Sequence, residues 1–273
     1  MKSKVATLGR TIWTWLILLI FLFPIYWTVT SSFKPSADIH SLPPKFFFIP
    51  DLTGYKHILS KTQIPQCMLN SLIVCTFSVG IALIVGIMLA FAINRFDFKS
   101  KKDISFWIVS LRMAPPVVSV IPLFMIVRNL GLYDTKIALI IIYLTFNIPF
   151  VVWMVRGYMS QVPVELDEAA YIEGYGKLRV LTKVILPVIK TGVLSTAIMS
   201  FIFSWNEFFF AFLLTGSAAK TVPVGIQGFI TMTGTRWDEL TAAGTLVAIP
   251  ALILSLISGK YFIRGLLEGA LKG

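Results

Sequence analysis

The stretch TIWTWLILLIFLFPIYWTVTSSF, Thr11 to Phe33, runs for 23 residues without a charged side chain. As a helix rising about 1.5 Å per residue, it can cross a hydrocarbon core roughly 30 Å thick. Lys2, Lys4 and Arg10 precede it in the manner of a secretory signal. The run is nevertheless about twice the length of a signal's apolar region, and no A-x-A cleavage site follows. It therefore predicts a retained first membrane span, near residues 11–33.

Five more apolar windows of similar length lie near residues 68–93, 104–127, 136–155, 191–214 and 240–260. Of the 273 residues 56% are hydrophobic and 14% charged, and the mean hydropathy is +0.82. One water-soluble core cannot bury that much apolar surface. Lipid offers no partner to a bare backbone amide, and the short alternating strands of a barrel are absent, so each span is predicted to be a helix. The expected fold class is all-α, a polytopic membrane protein with six transmembrane helices forming one domain over residues 1–273. Pro24, Pro115, Pro116, Pro122, Pro149 and Pro250 fall inside spans and predict kinks or breaks. Cys67 and Cys75, about 12 Å apart on one helix, cannot form a disulfide and read as packing residues.

The net charge of +11 does not point to nucleic acid, because the basic residues sit in short loops between apolar runs. Counted loop by loop, Lys and Arg total 15 on the side holding both termini and the segments after spans two and four. The opposite side holds 8, and Arg112 lies within span three. The excess predicts cytoplasmic termini and a cytoplasmic loop over residues 156–190. The longest outer segment, 34–67, reads as a compact loop at the membrane surface.

Within the cytoplasmic loop, QVPVELDEAAYIEGYGKLRVLTKVILP (Gln161 to Pro187) reads as helix, turn, helix. Pro163 suits a first helical turn, and Glu165, Asp167 and Glu168 place negative charge at the positive end of the helix dipole. Gly174 and Gly176 stop that helix with a left-handed cap. A second helix follows from Lys177, with Leu178, Leu181 and Ile185 on one face and Arg179 and Lys183 on another, and Pro187 ends or bends it at span five. Ala169, Ala170 and Gly174 would leave a smooth patch for another protein's backbone to approach. The competing reading is an amphipathic loop lying on lipid headgroups. An anionic leaflet would repel the acidic first half, so lipid can claim only the second.

The order Glu168-Ala169-Ala170, three residues, Gly174, nine residues, Val184-Ile185-Leu186-Pro187 resembles the "EAA" loop of ABC-importer permeases, in particular the carbohydrate-uptake branch. RMAPPVVSVIPLF (Arg112 to Phe124), SWNEFFFAFLLT (Ser204 to Thr215), TVPVGIQGF before span six and the tail GLLEGALKG fit the same branch. Val184 stands where Ile is more usual in the family, and Glu173 where Asp is. The resemblance implies the type I ABC importer permease fold. It also implies a coupling helix over Glu165 to Gly174 that seats on a separate ATPase. Glu165, Asp167, Glu168, Ala169, Ala170, Gly174, Leu186 and Pro187 are then the coupling residues. The implied partners are a second permease subunit, an ABC ATPase dimer, an extracytoplasmic sugar-binding protein and membrane lipid, with a carbohydrate as cargo and the inner membrane as location.

The chain itself has no G-x-x-x-x-G-K-[ST]; the echo GSAAKT, Gly216 to Thr221, lacks the second glycine. ATP and Mg are therefore expected on the partner ATPase, with no catalytic residue, cofactor or metal here. His40 and His57 have no Cys, Asp or Glu at ligand spacing and read as surface histidines. Ionisable and polar groups at membrane depth are costly and so are candidates for the substrate path: Arg112, Asn147, Trp205, Asn206 and Glu207. For Arg112 the structural alternative is a bond to carbonyls freed at Pro115 and Pro116; for Glu207, a polar cap bonded to a neighbouring helix. An ion-coupled secondary transporter is the alternative function, but it would call for paired charges near the midplane and no docking loop.

Overall fold

A computed structural model describes the backbone of residues 2–113, 115–231 and 234–270, and the side chains of 9–113, 115–231, 234–257 and 259. The tail motif GLLEGALKG, the loop charges at Lys2, Lys4, Lys260, Arg264 and Lys272, and Ala114 of the Arg112 to Phe124 motif fall outside those side chains. The helices in chain order are α1 (Lys2–Ser31), α2 (Ser36–Ile39), α3 (Thr53–Lys61), α4 (Ile64–Arg95), α5 (Lys101–Met113) and α6 (Pro116–Asn129). They continue as α7 (Lys136–Met159), α8 (Glu165–Ile172), α9 (Lys177–Val180), α10 (Leu186–Trp205), α11 (Phe209–Leu214), α12 (Val222–Gln227) and α13 (Trp237–Ala270). A two-residue hairpin, β1 (Ile230–Thr231) and β2 (Gly234–Thr235), precedes α13.

Five helical runs among the described residues are long and apolar enough to cross a membrane: Gly9–Ser31, Ile64–Arg95, Lys136–Met159, Lys177–Trp205 and Trp237–Ile257. A sixth span exists if α5 and α6, bent 97° from each other, count as one. The all-α polytopic expectation holds, and three of its details change. Span three, expected as one helix over 104–127, is two helices, and Pro115 is extended just before α6. Proline has no amide to donate and its ring crowds the preceding turn, so the doublet is where the helix gives way. Pro24, Pro122, Pro149 and Pro250 instead lie inside helices.

Span five, expected over 191–214, ends at Trp205 and resumes as α11. At its other end Pro187 does not terminate the helix. A π-helical turn, Leu181–Ile185, joins α9 to α10 into one run. The wider turn, in which Leu186 N–H donates to Leu181 O, accommodates the proline ring one residue on. Within the expected loop 156–190, α7 therefore runs to Met159 and the next long helical run begins at Lys177, with α8 between them.

The chain divides into two compact units. In Met1–Pro65 with Gly225–Ile249, the segment after α1 is pinned by Ser32 Oγ and Tyr55 Oη 2.7 Å apart and by Asp51 N–H donating to Phe33 O at 2.8 Å. Lys34 is buried with its Nζ 4.0 Å from the Trp27 ring centroid.

Gln66–Val224 with Pro250–Gly273 holds the two apolar cores. One gathers Phe91, Val151, Val155, Met159, Val180, Leu181 and Ile185 where α4, α7 and the α9–α10 run meet. The other gathers Val74, Leu139, Ile142, Tyr143, Phe210 and Leu214. Two glycines permit the close packing. A Cβ on Gly86 would lie 2.6 Å from Val151 Cγ1, and one on Gly192 2.5 Å from the Tyr158 ring. Cys67 and Cys75 are free and buried on α4, as packing residues should be.

Candidate functional site

Helix α8 carries Glu165, Asp167 and Glu168 in its first turn, where the unpaired amides and the dipole favour negative charge. It ends at Glu173, and Gly174 follows with φ +85°. Tyr175 N–H donates to Ala170 O and Gly174 N–H to Tyr171 O, both at 3.0 Å, the paired bonds of a left-handed helix cap. Gly174 thus does what its spacing predicted. Gly176 does not: its φ is −73° and ψ 161°, ordinary extended backbone that precedes α9.

The coupling residues separate into two groups. Asp167 and Ala170 are buried; Glu165, Glu168 and Ala169 are exposed. Ala170 belongs to the same buried cluster as Met159, Val162, Leu181 and Ile185, so the alanine pair is not one outward patch. The outward surface is built from Glu165, Glu168 and Ala169 beside Leu166, Tyr171 and Ile172, the last 88% exposed. Leu186 packs against the buried cluster, Pro187 faces out, and Leu178, expected with Leu181 and Ile185, is also exposed. The bonus of a helix running on into α10 is that Val180 replaces Leu178 on the buried face.

Asp167 meets a residue that sequence reading used only for orientation. Arg95, the last residue of α4, places Nε 2.5 Å from Asp167 Oδ2, with both side chains almost wholly buried. Arg95 Nη2 also donates to Val162 O at 2.9 Å, so one guanidinium holds the segment before α8 and its first turn. Burial pushes the Asp167 carboxyl above its ordinary range, and the Arg95 charge opposes that rise. The only sequence signal for the pair was a basic residue ending a span and an acid at a helix start.

The polar residues predicted at membrane depth find partners within the protein. Glu207 sits in the gap between α10 and α11 and accepts from Phe210 N at 2.8 Å, Ala211 N at 3.1 Å and Tyr143 Oη at 2.9 Å. Asn147 is buried and donates to Ser204 Oγ at 2.8 Å. Asn206 is exposed and donates to Ile202 O within its own helix, while buried Trp205 stacks on Phe201. Arg112 was expected to bond carbonyls near Pro115 and Pro116. Its guanidinium instead lies over the rings of Phe150 and Trp153, 4.9 and 5.2 Å from their centroids. Cation–π contact lets a charge rest on apolar neighbours without a hydrogen-bond acceptor.

The GSAAKT echo has an unforeseen occupant. Asp134, at φ 58°, directs its carboxylate at the loop, where Ser217 N–H and Ala218 N–H each donate to Oδ2 at 3.0 Å and Ala219 N–H to Oδ1 at 2.9 Å. Those amides hold the Asp134 pKa below the ordinary carboxylate value despite partial burial. Asn70 Nδ2 bonds Ala218 O and Lys220 O, and Val222 N–H donates to Ser71 Oγ. His57 is also less isolated than its sequence suggested, with Nδ1 3.2 Å from Glu239 Oε1. Among the described residues no three His, Cys, Asp or Glu side chains form a metal site.

The family profile for binding-protein-dependent transport system inner membrane components matches residues 82–268. Among curated relatives, the diacetylchitobiose uptake system permease protein DasC of Streptomyces coelicolor is 34% identical over 255 residues, 92% of each chain. The trehalose/maltose transport system permease protein MalG of Thermococcus litoralis is 34% identical over 262 residues, 94% of each chain. A solved bacterial ABC transporter that imports the acidic polysaccharide alginate contains a chain of the same fold, with TM-score 0.80 and 22% identity, covering 96% of this chain and 98% of that one.

Proposed function

The chain belongs to the binding-protein-dependent transport system inner membrane components, and we propose that it is the permease subunit of an ATP-driven carbohydrate importer. It forms the translocation path together with a second permease. It takes its solute from an extracytoplasmic binding protein and is driven by a separate ATPase dimer that binds ATP and Mg. The observation that carries this reading is the outward face of α8. Leu166, Tyr171 and Ile172 are exposed apolar residues interleaved with Glu165 and Glu168, on a helix whose opposite side is fixed into the protein. An anionic leaflet would repel those carboxylates, whereas an apolar cleft with a basic rim on a protein partner would hold both kinds of side chain. ATP binding can shift the permease only through contacts that differ between its states, and this face is where such contacts form.

Carbohydrate cargo is supported by what the relatives' names record, disaccharide and chitobiose uptake. The test is reconstitution with the ATPase and the binding protein, followed by uptake of radiolabelled trehalose, maltose and diacetylchitobiose. A cysteine at Glu168 should cross-link to the ATPase, and Glu168→Lys should abolish uptake while leaving the chain in the membrane. Absence of the cross-link together with normal uptake in Glu168→Lys overturns the coupling role. Uptake of amino acids or ions in place of all three sugars overturns the cargo.

A further inference from the structure

The outward face of α8 explains how a motor could grip this protein, and its packing on α9 and the π turn leads towards α10; what remains is a connection from α8 to α4. We infer that Arg95 and Asp167 are that connection: a buried positioning pair that makes α8 and α4 move as one body. The inference rests on the proposed coupling role of α8 and names the residues that transmit it.

Four observations support it. Arg95 is the last residue of α4, a helix of 32 residues that crosses the membrane, so displacing Arg95 loads the end of a span. Its guanidinium reaches Val162 O at 2.9 Å and Asp167 Oδ2 at 2.5 Å, two points on either side of the start of α8. A planar guanidinium held by one hydrogen bond and one close charge contact resists rotation as well as separation. Both side chains are less than a tenth exposed, so water cannot replace either partner without the site opening. Finally, Ala170 one turn on belongs to the buried cluster that also holds Ala90 and Phe91 of α4, so the pair lies beside a continuous apolar core.

Breaking one member leaves a buried charge without its counter-ion, which is far more costly than losing an exposed pair. The cheapest motion of α8 is therefore one that carries the inner end of α4 with it. Asp167 consequently has a different duty from Glu168 next to it. Glu168 faces the partner, and Asp167 faces the body.

The experiment uses the assembled transporter with Cys67 and Cys75 replaced by alanine. Spin labels are attached at Glu173→Cys, just past α8, and Met88→Cys, an exposed position on α4. In the unsubstituted background their distance distribution should be narrow and the same with and without MgATP. In Asp167→Asn it should broaden or shift on adding MgATP, and solute moved per ATP hydrolysed should fall. The double charge exchange, Arg95→Asp with Asp167→Arg, should restore the narrow distribution and recover part of the coupling ratio. A distance that changes with MgATP in the unsubstituted background overturns the inference even if no variant assembles. So does Asp167→Asn that assembles with an unchanged distribution and coupling ratio. Loss of the Glu168 cross-link to the ATPase, with these distances intact, would instead refute the docking role and leave the pair standing.

Discussion

Replacing Gly174 by alanine isolates the cost of one backbone angle. A Cβ at this position meets no atom within 4 Å, so the substitution creates no clash with neighbouring residues. What remains is the φ of +85°, which an L side chain pays about 1–2 kcal/mol to adopt. That penalty raises the population of the opened turn roughly 5- to 30-fold. The reporters are the amides of residues 174 and 175, whose acceptors are Tyr171 O and Ala170 O. Their hydrogen exchange in detergent or nanodiscs should accelerate by that factor, while amides within α7 stay unchanged. Asparagine should cost less than alanine, because its short polar side chain tolerates the left-handed region. Proline should cost most, since its φ is fixed near −65° and it has no amide to donate. If alanine exchanges at the glycine rate, or asparagine faster than alanine, the left-handed cap is not what closes this turn.

In the loop before α7, Asp134 has a lowered pKa, so its stabilisation is complete above the ordinary carboxylate value and is lost as pH falls through the lower, folded one. Proteolysis of residues 215–222 should therefore stay slow from neutral pH down through the ordinary carboxylate range and rise only below it, and Asp134→Ala should be nicked quickly at every pH. Gly192→Ala should lower the melting temperature of the isolated chain, by about 1–3 kcal/mol of overpacking against Tyr158, whereas Gly80→Ala, with open space around it, should not. Glu207→Leu would strand the amides of Phe210 and Ala211 and the Tyr143 hydroxyl, at about 1–3 kcal/mol each, and Glu207→Gln should lose less; equal melting temperatures for the two would contradict the cap.

The spans were legible because bilayer thickness sets a length that few other constraints imitate, and the uncharged Thr11 to Phe33 run meets it outright. The α8 cap was legible too, since Gly174 sits one turn beyond the acidic first turn and only a left-handed residue closes a helix that way. Less was readable where the outcome depends on contacts distant in sequence. Arg95 and Asp167 are 72 positions apart, and orientation counting treats every loop arginine as equivalent, so the pair stayed hidden in a charge total. The alanine pair looked like one surface because adjacent residues are only about 100° apart around a helix, and nothing local said the boundary of burial falls between them. GSAAKT, set aside as a chance echo of a phosphate loop, nonetheless binds an anion. Successive amides do form an anion-binding concavity there, but the anion is the carboxylate of Asp134.

The break after Trp205 has no proline or glycine to mark it, yet it obeys a stricter rule. A helix that stops within hydrocarbon exposes amides at the next helix start that neither lipid nor water can satisfy. Here Glu207 supplies the acceptors: one oxygen takes Phe210 N–H, the other takes Ala211 N–H, and Tyr143 from α7 adds a third donor. Glutamine would offer a single acceptor atom to those three donors, so the two carboxyl oxygens are what allow the chain to change direction here. The break also turns Asn206 and the rings of Phe208 and Phe212 outward, the rings stacked 5.2 Å apart.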